Sequence, residues 1–254
     1  MPPRKRERAK AAITESHFIY GETSRVIKLP GNIRDWQVKC VCGGSRSTCN
    51  NGWMKAIEDK AKPILTPLIK GDDVIIYPNN QQLIATWATL KVMVAEYDQK
   101  SPVTIANSHR KYLYKHKTPP IRGWAIWIGH FEKTRWAAEW LSRPVPMYFG
   151  PPRLDLVHKK ASRFNAAANT QVIGKMFIHV IHTPMPFNIH RWRFAPPYRG
   201  TLFRIWPPAQ THIRWPARAL DDADADRISE AFFRFCGTQV ERAAANLSAA
   251  ARGP

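Results

Sequence analysis

Three of the four cysteines in this 254-residue chain fall within ten residues, in the run Cys40-Val-Cys42-Gly-Gly-Ser-Arg-Ser-Thr-Cys49-Asn-Asn-Gly-Trp-Met54. Thiols clustered beside Gly43-Gly44 predict a knuckle, a tight turn that aims sulfur and backbone amides at one metal ion. The run ends where a helix begins, because Trp53, Ile57, Ile64, Leu65 and Leu68 predict a helix over about 53–69. Pro63 and Pro67 fall inside it and predict a kink or a break into two pieces. Cys40, Cys42 and Cys49 supply three ligands, whereas a closed structural zinc site takes four. Reduced core thiols are the competing reading. Cys236, between Phe235 and Gly237 on an apolar helix face, reads as core.

Charge narrows the partner. The net charge is +20, carried by the body of the chain as well as by its N-terminal arm. Residues 1–120 hold 20 Lys and Arg against 10 Asp and Glu, residues 121–220 hold 15 against 3, and residues 221–254 hold 4 against 6. A field of that size draws polyanions and speeds encounter with them. The expected partner is nucleic acid, DNA ahead of RNA. A basic solubilising surface is the plainer alternative. A membrane partner is not expected, since no basic amphipathic helix and no run of 18 apolar residues occurs. The first ten residues are charged and lack an apolar stretch, so they do not read as a secretory signal. Clustered cysteines with one distant partner fit a reducing, cytoplasmic setting better than a secreted disulfide framework.

The organisation is that of an α+β protein in three parts. Residues 1–13 form a basic arm. Residues 14–120 carry the knuckle and a helical middle. In it, Leu83, Ile84, Trp87, Ala88, Leu90, Val94 and Tyr97 predict a central helix over 80–98, and a second helix spans about 103–116. Residues 121–254 form an aromatic and Arg-rich, mostly antiparallel sheet region closed by a C-terminal helix over 221–248. There, Gly123–Gly129 and Gln171–His182 read as buried strands, Arg143–Asn169 as loop, and 192–194 with 202–206 as a hairpin. Asp221, Asp222, Asp224 and Asp226 sit at the start of the last helix, where the macrodipole favours negative charge. They imitate the opening of a calcium loop, but Arg227 and Phe233 stand where that loop needs glycine and an acid, so capping is the better reading.

Arg191, Arg193, Arg204 and Arg214 interleave with Trp192, Phe194, Ile205, Trp206 and Trp215, and strand alternation turns such arginines outward as a row that can track a phosphate backbone. Lys111 and Lys115 do the same from the helix before Pro119. His179 and His182 lie three apart in a strand, face opposite sides and cannot share a metal.

Cys49-Asn50-Asn51-Gly52-Trp53-Met54, followed by Glu58 and Ala61-Lys62-Pro63-Ile64-Leu65 and later by Leu83-Ile84-Ala85-Thr86-Trp87-Ala88, resembles a run in bacterial HNH-endonuclease-like, zinc-knuckle proteins. The resemblance covers about residues 15–98. It implies an HNH-like, treble-clef-like module at about 14–70. It further implies His17 as the general base that activates water and Asn32, 15 residues on, as the residue holding the His-bearing loop. Asn51 or Glu58 would be a metal ligand. The implied cofactors are a structural zinc on Cys40, Cys42 and Cys49 and, for catalysis, magnesium or manganese. Two readings follow. One is a nucleic-acid-binding protein related to HNH endonucleases and acting as a metal-dependent phosphodiester hydrolase. The other is a non-catalytic nucleic-acid-binding or adaptor protein that keeps the knuckle as scaffold.

Overall fold

A computed structural model describes residues 13–20, 23–30, 52–98, 103–132, 164–184 and 198–251, with short pieces at 135–136, 140–145, 147, 189, 192 and 194. For 13–20, 23–30, 98 and 237–251 it gives the backbone course. The protein is α+β with mostly antiparallel sheets. Two strands set the architecture. In β4 (Trp124–His130) and β7 (Met176–His182) every residue is buried. A strand buried on both faces needs a layer on each side. Around this pair runs a seven-stranded sheet of order β2-β1-β5-β6-β7-β4-β8, with β1 (Ile13–Tyr20), β2 (Thr23–Pro30), β5 (Trp140–Val145), β6 (Ala166–Ile173) and β8 (Leu202–Trp206). Its pairs are antiparallel except β1 with β5, which run parallel with His17 opposite Leu141.

One face is covered by α1 (Met54–Lys70) and α2 (Pro78–Asp98). Trp124, Ile126, Ile128, Met176, Ile178 and Val180 meet Leu65, Leu68, Ile84, Ala88 and Val92 there. A two-stranded sheet of β3 (Val74–Ile76) and β9 (Ile213–Trp215) adds Ile76, Ile213 and Trp215 to the same core. The other face is covered by the C-terminal helix, here α4 (Asp222–Ala251). Ala125, Trp127 and Ile181 meet Phe232 and Cys236, and Phe131, Val172 and Phe177 meet Ala225 and Ile228. Cys236 is core, and burial pushes its thiol up to about 12. Asp221 and Asp224 cap α4 reciprocally, each backbone N–H bonded to the other's carboxylate at 3.2 and 2.9 Å.

Several elements depart from the sequence reading. α1 is one continuous helix across Pro63 and Pro67. The carbonyls those prolines free are on Asp59 and Pro63, both exposed, where water can satisfy them. The stretch 171–182 is not one strand: Gly174, at φ 58°, turns the chain between β6 and β7. Part of the expected 143–169 loop is strand, with Arg143–Val145 in β5 and Ala166–Asn169 in β6, in register as Arg143 with Ala168. Trp192 and Phe194 lie outside any strand, and β8 pairs with β4 instead. Trp192 packs its ring on Phe232 and Phe235 of α4, and that contact replaces the expected hairpin.

The β6–β7 turn docks on the end of α1, where the amide of Lys175 donates to the carbonyl of Ile69 at 2.8 Å. A Cβ on Gly174 would stand 2.4 Å from that same oxygen, whereas one on Gly200, also at positive φ (81°), would meet nothing within 4 Å. Gly200→Ala is therefore expected to cost about 1–2 kcal/mol, the left-handed penalty alone. Gly174→Ala should cost about 1–3 kcal/mol more through overpacking. Urea unfolding midpoints of the two variants read the difference, and equal losses would show that the Ile69 contact yields.

Candidate nucleic-acid interface

The helix α3 (Asn107–His116) contains no acidic residue, and from Gln99 to Phe131 the chain has none at all. Its mounting is polar and buried. The Glu96 carboxylate, on α2, accepts from the backbone N–H groups of Thr104 and Ile105 at 2.9 and 3.1 Å, from the Thr104 hydroxyl, and from Arg110 Nη2 at 2.5 Å. Burial pushes Glu96 up, while the Thr104 hydroxyl and amide, Arg110 and the Ile105 amide pull it back. Arg110 Nη1 also donates to the Met93 carbonyl at 2.8 Å. Thr104 Oγ1 lies 3.1 Å from His182 Nε2. Because Thr104 gives its single proton to Glu96, His182 carries its hydrogen on Nε2 and donates it. Trp124 Nε1 donates to His109 Nδ1 at 3.1 Å, and Leu113 is fully buried. The hydroxyl of Thr104 is occupied on both sides and nearly inaccessible, so it serves as a pin between α2, α3 and β7 rather than as a nucleophile.

With His109 and Leu113 inward, helical spacing turns Lys111, Tyr114 and Lys115 outward in one stripe, and all three are exposed. The helix ends on Lys117, which adopts the left-handed conformation, φ 53°, more often left to glycine. That conformation costs a lysine about 1–2 kcal/mol. Its ammonium offsets this by sitting 4.5 Å from the ring centre of Trp53 and 4.2 Å from that of Tyr114, contacts worth about 0.5–1 kcal/mol each at a surface. The two rings meet edge to face at 5.5 Å. Trp53, four residues after Cys49, thus meets the basic end of α3. A second cation–ring contact stands two turns before Lys117, the Arg110 guanidinium 4.5 Å over Tyr97.

The sequence-derived candidates distribute as follows. Lys111 and Lys115 share the α3 stripe. Arg214 is exposed between inward Ile213 and Trp215 on β9, as strand alternation requires. Arg204 is half-buried in β8, beside Trp127 of β4. Arg191, Arg193, Asn32, Cys40, Cys42, Cys49 and Asn51 lie outside the described residues, and His17 is described as a backbone position in β1, paired with Val26. Glu58 pairs with Lys91 of α2. His179 and His182 do face opposite sides of β7. His179 Nδ1 is 2.8 Å from Thr170 Oγ1 and its ring packs on Trp127 and Phe194, whereas His182 stacks on Trp124. Among the described residues no group of three His, Cys, Asp or Glu is placed to hold a metal ion. The Trp53–Tyr114–Lys117 contact and the Glu96 pin were not read from sequence. The 33-residue window without an acid was an available signal for the α3 surface, whereas nothing local to Trp53 or Glu96 marks their contacts.

No protein-family model, no curated protein and no solved structure matches this chain.

Burial holds His179 and His182 down at about 3, and lowers His109 too, from the ordinary 6.5. The unfolded chain then binds more protons below about 6.5, so stability present at neutral pH is lost as pH falls from 6.5 toward 3. Glu96, pushed up from 4.5, acts in the opposite sense as pH rises above that value. The melting temperature is expected to be lower at pH 5 than at pH 7.5, and His179→Phe should shrink that difference. An unchanged difference in the variant would remove His179 from the cause.

Proposed function

We propose that this is a nucleic-acid-binding protein related to HNH endonucleases, engaging phosphates through α3 and acting as a metal-dependent phosphodiester hydrolase. The observation that carries the binding part is the exposed Lys111–Lys115 stripe on a helix fixed by buried bonds, inside a stretch of 33 residues without an acid. A second such stretch supports it: Leu156 to Leu220 holds ten Lys and Arg and no Asp or Glu. A helix already held by buried bonds needs no backbone ordering on meeting phosphate, and only the lysine side chains lose freedom. For the kinship, support comes from the CNNGWM-type run and from α1 beginning at Met54, five residues after Cys49, as a knuckle feeding a helix requires. In that reading Cys40, Cys42 and Cys49 are the thiols that hold a structural zinc, His17 takes the proton of water and Asn32 holds its loop.

A second reading, a non-catalytic nucleic-acid-binding or adaptor protein, is favoured by spacing. No cysteine precedes Cys40, and six residues separate Cys42 from Cys49 where a knuckle has two. The readings share binding and differ in cleavage.

Binding to mixed-sequence nucleic acid should weaken steeply with salt: four phosphate contacts correspond to about 100-fold between 50 and 200 mM. Lys111→Glu with Lys115→Glu should lower affinity and flatten the slope, and binding that is absent at 50 mM salt would end the proposal. About one zinc per chain should co-purify by elemental mass spectrometry and be lost with Cys42→Ser and Cys49→Ser. Cleavage with magnesium or manganese should vanish in His17→Ala while binding persists. Wild-type protein that binds and never cleaves selects the second reading.

A further inference from the structure

The α3 surface is aromatic as well as basic, and the aromatics stand where a nucleic acid lying on Lys111 and Lys115 would pass. Tyr114 lies between those lysines on the same stripe and is 57% exposed. Its ring is braced, with Trp53 against it edge to face at 5.5 Å and the Lys117 ammonium 4.2 Å from its centre. A braced tyrosine cannot fold down over its own helix, so its exposure is a fixed property of the surface. Tyr97 repeats the arrangement with 46% exposed, under the guanidinium of Arg110, which Glu96 and the Met93 carbonyl hold still. Arg110 and Tyr114 are four residues apart, about 6 Å along the helix.

We propose that this face of α3 is a stacking platform for unpaired bases, so that the nucleic acid it takes is single-stranded. The inference rests on the nucleic-acid reading above and adds the strand state. A duplex keeps its base faces inside its own stack and offers a protein phosphates and groove edges. Lysines alone suffice for that, and exposed rings gain nothing from it. A single strand offers base faces and phosphates together, and rings interleaved with cations match both. Lys111 and Lys115 take phosphates, and Tyr114 takes the face of a base. The contact is sequence-tolerant, since every base has such a face. With no acid from Gln99 to Phe131, nothing on this stretch repels the backbone.

The test is fluorescence anisotropy of the full chain with a labelled mixed-sequence strand, as DNA and as RNA, and with the matching duplex at the same salt. The single strand should bind at least about 10-fold tighter than the duplex. Tyr114→Ala should weaken single-strand binding by about 5- to 150-fold, the range for loss of one stacked base. It should leave duplex binding unchanged and lower the melting temperature by no more than about 2–4 °C, the loss of its Lys117 and Trp53 contacts. Tyr114→Phe, which keeps the ring, should restore affinity. The DNA and RNA arms identify which kind of strand supplies the bases. Equal binding of strand and duplex, with Tyr114→Ala silent on both, overturns the platform and leaves the nucleic-acid reading standing. Absence of binding to either overturns both.

Discussion

The structure depends on two strands that cannot face water on either side. β4 and β7 are paired over seven residues and buried at each of them, so the sheet needs a cover on both faces. On one side the cover is α1 and α2, on the other α4. The ends of these helices are fixed by short devices. Gly71 closes α1 with its N–H on the Leu68 and Pro67 carbonyls, and Lys175 ties that end to the β6–β7 turn. Asp221 and Asp224 start α4, and Asp226 takes Trp136 Nε1 at 3.0 Å and the Arg135 guanidinium.

Polar groups buried in this sandwich decide where the basic helix α3 sits. Placing histidines in β7 forces them neutral, and each is given a hydroxyl: Thr170 for His179 and Thr104 for His182. The second bond carries further consequences. Thr104 leads into Glu96, Glu96 into Arg110, and Arg110 fixes the first turn of α3. The mounting of the basic helix is thus continuous with the central sheet. On β6, Asn169 lines a cavity of about 10 Å³ with Trp140, Gln171 and Val180, room for roughly one water beside its unpaired Nδ2.

Charge follows the same division. Acids among the described residues are largely engaged, with Glu58 on Lys91, Asp59 on Lys55, Glu96 on Arg110, Asp224 on Arg227 and Glu230 on Arg143 and Arg234. Among the described residues, Lys111, Lys115 and Arg214 have no such acid. These three cations are exposed and unneutralised, and those on α3 stand beside the rings of Tyr114 and Trp53.

The sequence by itself determined the elements whose signals are local. Helical spacing placed α2. A continuous apolar run placed β4, and alternation turned Arg214 out and Trp215 in. Strand parity separated His179 from His182, and acids at a helix start marked the cap of α4. Each of these needs only neighbours in the chain. Tertiary structure alone decided the rest. Pro63 and Pro67 read as breaks, yet α1 runs through them because packing of Leu65 and Leu68 fixes the helix and the freed carbonyls face solvent. Arg143–Val145 read as loop, yet strand pairing with β6 makes it sheet. Trp192 reads as part of a hairpin, yet its ring packs on Phe232 and Phe235 of α4. Trp53, Tyr114 and Lys117 meet only because the fold brings the start of α1 to the end of α3, 61 residues apart between the first two. Periodicity and capping are energies between near neighbours and can be read along the chain, whereas pairing and docking are energies between distant residues and exist only once the sheet has closed.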